Sequence, residues 1–101
     1  MDYGIVFLLP ASQDIRVAHE WYEEQKTDLG KEFLQAVLEQ VEELKDDFIS
    51  HRFFIHPVRY IKMKRFPYSI FYIKDEQRKK ITITAVLGNK QDMLSIIRKR
   101  L

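Results

Sequence analysis

Apolar residues return every three or four positions between Ile15 and Phe48, and every second position between Val58 and Leu87. Helices are therefore expected before strands along this chain. A continuous apolar run, Tyr3 to Leu9, precedes both and is closed by Pro10. It is barely two turns long as a helix, and its pattern predicts instead a strand buried on both faces. Ser12 is placed to cap the helix that follows, with Asp14 in a first turn whose dipole favours an acid. Ile15, Ala18 and Tyr22, with Trp21 beside them, make an apolar stripe, while Arg16, His19, Glu20, Glu23 and Glu24 fill the other side. This spacing predicts an amphipathic helix of about four turns.

Thr27-Asp28-Leu29-Gly30 interrupts the pattern, and Gly30 suits a tight turn between helices. Phe33, Leu34, Val37, Leu38, Val41, Leu44 and Phe48 then follow the helical template for about five turns. So short a connection predicts an antiparallel helical hairpin, with most acidic residues on its outer face. Beyond Ser50 the period changes to two. Val58 to Lys64 sets Arg59, Ile61, Met63 and Arg65 against Tyr60, Lys62, Lys64 and Phe66. Pro67 cannot donate to a sheet ladder and marks a turn. Tyr68 to Lys74 reads as the next strand, Asp75 to Lys80 as a polar hairpin loop, and Ile81 to Leu87 as a last strand alternating Ile81, Ile83, Ala85 and Leu87 with Thr82, Thr84 and Val86.

The order strand, helix, helix and three hairpin-linked strands predicts an α+β fold, a small and mostly antiparallel four-stranded sheet with the helical hairpin packed on one face. Residues 92–101 form either a short helix or a basic tail, and the pattern does not decide between them. A length of 101 residues, three Gly, three Pro and no composition break predict one domain over 1–101.

The sequence holds no cysteine, which excludes disulfides and Cys-ligated metal and suits a reducing compartment. No Gly-rich phosphate loop, His pair at ligand spacing or Ser/His/Asp grouping is present, so neither a cofactor nor a metal is expected. No apolar run approaches the ~20 residues of a membrane span, and a cytoplasmic protein without membrane contact is expected. Net charge is +2, but it divides unevenly. Residues 14–47 carry eleven Asp/Glu against four Lys/Arg, and residues 51–101 carry thirteen Lys/Arg against three Asp/Glu. The basic half could meet a polyanion or an acidic protein, or simply be solvated.

Taken together, ASQDIRVAHEWYEEQKTDLGKEF, VRYIKMKRFPYSIFYI and ITITAVLGNKQD resemble the RelE/ParE superfamily of bacterial type II toxin–antitoxin systems over nearly the whole chain. The pieces carrying the resemblance are Asp14-Ile15, Trp21-Tyr22, Leu29-Gly30 with Phe33, Arg65-Phe66-Pro67-Tyr68, and Ala85-Val86-Leu87. It implies a growth-inhibiting toxin, of the kind linked to plasmid stabilization, neutralised by a small acidic antitoxin. Its target is either DNA gyrase, as for ParE-like members, or messenger RNA on the ribosome, as for RelE-like nucleases.

Cleaving RNA through its 2′-OH needs a proton acceptor, a proton donor and cations at the developing charge. RelE-like nucleases place Arg early in the strand after the turn, Arg after the last core strand, and His or Tyr near the C-terminus. This chain is similar in layout but has Ser69, Gln91, and Ile96 with Ile97 at those places. It also has Gly88 where many relatives have His, and Met93 where they have Pro. Gly88 could close the strand with a positive φ. A non-nucleolytic, ParE-like toxin is therefore the leading expectation, with a RelE-like ribonuclease and a degenerate toxin that only binds antitoxin as rivals. Arg59, Lys62, Lys64, Arg65 and Lys90 are the candidates for contacting target or RNA, and Phe53, Phe54 and Tyr60 lie interleaved with some of them. His19, His51 and His56 are weaker candidates for acid–base work.

Overall fold

The computed structural model describes residues 2–101. In chain order its elements are β1 (Gly4–Phe7), α1 (Leu9–Gln25), α2 (Leu29–Glu43), β2 (Phe53–Ile55), β3 (Val58–Lys62), β4 (Tyr68–Asp75), β5 (Lys80–Gly88) and α3 (Met93–Arg100). The expected α+β class holds, but the sheet has five strands, ordered β1-β5-β4-β3-β2. β1 runs parallel to β5, and every other pairing is antiparallel. The additional strand, β2, is three residues at the sheet edge, too short to show a period.

The first helix starts earlier than its polar residues suggest. Pro10 sits in the first turn, where a missing N–H costs nothing, so it opens α1 instead of closing the preceding strand. Ser12 is inside the helix and caps nothing, and Asp14 is not in its first turn. β1 is correspondingly shorter than Tyr3 to Leu9, and as an edge strand it alternates between exposed and half-buried positions.

Gly30 does not make the interhelical turn either. Asp28, at φ 70°, supplies the left-handed residue, and Gly30 lies inside α2. There it lets the helices approach, because a Cβ at that position would stand 2.6 Å from the His19 carbonyl oxygen. The Glu23 carboxylate accepts from Asp28 N–H at 2.9 Å and Gly30 N–H at 3.1 Å. A carboxylate from α1 thus satisfies donors at the α2 N-terminus, where the dipole also favours it.

α2 stops at Glu43, short of Phe48, which is 99% exposed. Leu34 and Leu38 also face solvent. The hairpin covers one face of the sheet, where Tyr22, Phe33, Val37 and Val41 meet Ile70, Tyr72, Ile81, Ile83 and Val86. The other face holds Val58, Phe71, Ala85 and Leu87 under Ile97 of α3, so residues 93–100 form a helix and not a tail. Asp92 caps it by accepting from Ser95 N–H at 3.2 Å.

The simple alternation expected for Ile81 to Leu87 is broken by a bulge. Phe71 pairs with Ala85 and Tyr72 with Ile83, leaving Thr84 as an extra residue whose hydroxyl donates to the Phe71 carbonyl at 3.1 Å. Consequently Ile81 and Ile83 point to the helical hairpin, whereas Ala85 and Leu87 point to α3.

Candidate functional site

The tight turn between β3 and β4 holds Arg65, Phe66, Pro67 and Tyr68 and sets its aromatic rings against Tyr22 of α1 and Phe33 of α2. Met63 N–H donates to the Tyr68 carbonyl at 2.9 Å and Tyr68 N–H to the Phe66 carbonyl at 2.7 Å. Met63 and Phe66 both turn into the core, which overrides the strict alternation expected across this segment. Phe66 meets Tyr22 and Phe33 at ring-centroid distances of 5.0 and 5.2 Å, and Tyr68 meets Phe33 at 5.1 Å. Trp21 contacts the Tyr22 ring edge-on at 5.0 Å but is itself 53% exposed.

Beside this cluster lies an open groove of about 770 Å³. One wall is α1, where Gln13, Val17 and Trp21 recur at helical spacing above Asp14, Ala18 and Tyr22. The facing wall is the turn and the end of β5: Pro67, Tyr68, Val86, Gly88, Asn89, Lys90 and Gln91. Asn89 N–H donates to the Pro67 carbonyl at 2.9 Å and holds the two segments together. Burial pushes the Tyr22 and Tyr68 hydroxyls up from their ordinary value, so both are neutral at physiological pH. Val17 was absent from the expected site. Its i, i+4 relation to Trp21 is the signal that marks a second apolar stripe on α1.

Asp14 closes one end of the groove. Its carboxylate accepts from Arg100 at 2.7 and 3.0 Å and from Val86 N–H at 3.0 Å, while Arg100 also donates to the Thr84 carbonyl at 3.1 Å. β1 pairs with β5 only as far as Ile83, so these side chains satisfy backbone groups on the uncovered edge beyond it.

The expected cations do not converge. Lys64 pairs with Glu43 at 3.1 Å and Arg65 with Glu32 at 2.5 Å, both across to α2. The Arg65 hydrogen bond and charge hold the Glu32 carboxyl below its ordinary range. Arg59 donates to the His51 carbonyl and stacks over Phe53, 3.8 Å from the ring centroid. Lys62 and Lys90 have no ion pair among the described residues, and only Lys90 lines the groove. Part of the acidic and basic division therefore closes within the molecule. Phe53 is solvent-facing, and Phe54 packs with Tyr60 and Phe71 on the α3 side.

The three nuclease positions are committed elsewhere. Ser69 is 1% exposed within β4, and on α3 Ile97 is 1% exposed with Ile96 half-buried beside it. Gln91 Oε1 accepts from Gly88 N–H at 2.8 Å, closing the turn after β5. Gly88 does not have a positive φ, contrary to one reading of its role. Among the described residues no three His, Cys, Asp or Glu side chains gather as a metal set.

His51 lies apart from the groove, with Nδ1 2.5 Å from the Tyr72 hydroxyl. Burial first, then the Lys74 and Arg59 charges, push its pKa down, with Glu43 opposing them. Burial lifts the Tyr72 hydroxyl to about 12, so His51 accepts its proton in a hydrogen bond. A base with a lowered folded pKa binds more protons when unfolded, so stability falls as pH drops through ~6.5 and levels below the folded value. His51→Phe is expected to flatten that slope between pH 7 and 5 in urea titrations; an unchanged slope rules His51 out as its source.

A family model described as "ParE toxin of type II toxin-antitoxin system, parDE" matches residues 5–93. The chain belongs to the ParE toxin family. Among solved structures, the chromosomal ParDE system of P. aeruginosa aligns at TM-score 0.68 and 20% identity, covering 85% of this chain and 95% of that one. A substituted E. coli RelE toxin in the free state aligns at 0.59 and 14% identity over all of both chains. Isolated E. coli RelE aligns at 0.53 and 15% identity over 97% of each. At these identities the structural matches show a shared fold. No curated protein matches by sequence. As a ParE family member the chain is a type II toxin, and a cognate antitoxin is its partner. No helix among the described residues is long and apolar enough to cross a membrane.

Proposed function

We propose that this toxin, one cytoplasmic domain over 1–101, arrests growth without cutting RNA, by protein contact with a target such as DNA gyrase. The supporting observation is the fate of the nuclease positions. Ser69 and Gln91 carry no charge, Ser69 and Ile97 are buried, and Gln91 is held by Gly88. Losing one preorganised transition-state donor typically costs on the order of a hundredfold or more in rate. The groove offers aromatic surface, two neutral hydroxyls, side-chain amides and one ammonium, a set suited to holding a protein segment. Lys90, with Lys62, Lys64, Arg65 and Arg59 further along the molecule, is the leading candidate for target contact.

Pulse labelling within minutes of induction, without antitoxin, tests the reading. Thymidine incorporation is expected to fall before methionine incorporation. A first fall in methionine, with codon-phased cuts in message, overturns it in favour of ribonuclease action. If neither falls while folded protein accumulates, the chain is a degenerate toxin and the proposed activity is wrong.

A further inference from the structure

We infer that Gly88 keeps open a pocket for one large apolar side chain of the cognate antitoxin, seated between Trp21 and Tyr68, with Lys90 pairing an acidic residue beside that anchor. The inference rests on neutralisation by an antitoxin and adds where and how the antitoxin is held.

Neither conformation nor lack of space explains a glycine at the end of β5. No described glycine has a positive φ, and Gly88 pairs with Tyr68 in the ladder. A Cβ there would stand 3.4 Å from two Tyr68 ring carbons and 3.6 Å from Gln91 Oε1, which is ordinary contact. Alanine therefore fits, and glycine in a strand weakens it. What glycine does leave is bare floor in the groove, where a longer side chain would stand against the Tyr68 ring. Above that floor Val17 is 64% and Trp21 53% exposed. A concave apolar site with a few placed polar groups is the usual form of an anchor pocket.

Charge selects the occupant. Asp14 is the groove's one acid and is spent on Arg100, whereas Lys90 is left without an ion pair among the described residues. Arg98 and Lys99 are exposed on the neighbouring α3. An acidic segment carrying an apolar anchor is complementary to this surface. A second copy of the chain could offer its acidic α2, but three of the four glutamates there, Glu32, Glu42 and Glu43, are already committed to Arg65, Lys45 and Lys64, which leaves Glu39 alone for Lys90.

The test uses purified toxin and its cognate antitoxin. Trp21 is the only tryptophan, so its emission in the complex, read against a Trp21→Phe control, reports burial at the groove. A blue shift is expected. Gly88→Leu is expected to weaken antitoxin binding at least tenfold with an unchanged melting temperature, and Lys90→Glu about threefold, more at low salt. If Gly88→Leu fails to fold, Val17→Asp at its exposed position carries the same expected loss. The inference is overturned if the folded groove variants bind within twofold of wild type and Trp21 emission does not move. It is equally overturned if the shift follows toxin concentration alone, which marks a second copy as occupant. Failure of the functional reading looks different: antitoxin binds as described, but the free toxin arrests neither replication nor growth.

Discussion

Replacing Phe66 with alanine is expected to lower the unfolding free energy by about 3–5 kcal/mol, the usual cost of deleting a buried aromatic. For a domain of this size each kcal/mol moves the melting temperature by roughly 4–8 °C, so a loss well above 10 °C should be seen. The size follows from what the ring touches. Phe66 is 7% exposed and fills the angle between Tyr22 of α1 and Phe33 of α2, so its removal opens a cavity under both helices. The turn backbone offers no easy collapse, because Tyr68 N–H is tied to the Phe66 carbonyl and Asn89 N–H to that of Pro67. Phe66→Leu, which keeps most of the volume, should recover more than half of the loss. The stacked Arg65 guanidinium, 5.1 Å from the ring centroid, is exposed and contributes little. An unchanged thermal melt for Phe66→Ala would refute the placement of this side chain as the anchor of the turn.

Phe66 also shows what can be read from sequence here. A Pro between two alternating runs fixes a turn through local chemistry alone, and the turn is where the pattern puts it, whereas the burial of Phe66 beside Met63 is set by the helices above and not by the alternation. The helical hairpin was equally legible, because Phe33, Val37 and Val41 of α2, with Leu44 just beyond its end, repeat on one side. Three features were hidden for physical reasons. A bulge leaves no mark in composition, so Thr84 reversed the faces of Ala85, Val86 and Leu87 without warning. β2 is three residues long, below any useful period. Gly30 signals a demand for a small residue but not which demand, and close helix contact gives the same letter as a turn.

The candidate site was legible in its aromatic part and not in its electrostatic part. Trp21, Tyr22, Pro67 and Tyr68 were singled out by type and do gather at one groove. Of the five candidate cations only Lys90 joins them, because charge runs say nothing about partners. Lys64 and Arg65 find acids on α2, which lies 33 residues before Arg65 in the case of Glu32. The fate of residues 92–101 was undecidable for the same reason. Ile97 becomes a helix-defining residue only once Phe71 and Leu87 lie beneath it, and Arg100 only once Asp14 stands opposite.

That last pair gives the second large expected effect. Asp14→Ala should cost about 2–4 kcal/mol, because it strands a partly buried guanidinium and orphans the Val86 N–H at once. Asp14 is 13% and Arg100 23% exposed, so solvent screens the pair far less than it screens Lys64 with Glu43. Arg100→Ala should cost less, about 1–2 kcal/mol, since the carboxylate left behind still serves Val86 and faces the groove water. The double variant should lose less than the sum of the two, as expected for groups that contact each other. The Asp14 hydrogen bond raises the Arg100 pKa further above its ordinary value, against the lowering effect of burial. The guanidinium contribution is then fully present below the ordinary arginine value and is lost only as pH rises through the raised one, so pH between 6 and 9 should not change it. Hydrogen exchange separates a local from a global role. Arg100→Ala is expected to accelerate exchange at the α3 amides while those of β4 keep their protection, because Arg100 ties the C-terminal end of α3 to Asp14 and to the Thr84 carbonyl. Uniform acceleration through β4 and β5 would instead mean that the pair supports the whole sheet edge beyond Ile83. In that case the short reach of β1, and not the docking of α3, is what the Asp14–Arg100 contact compensates.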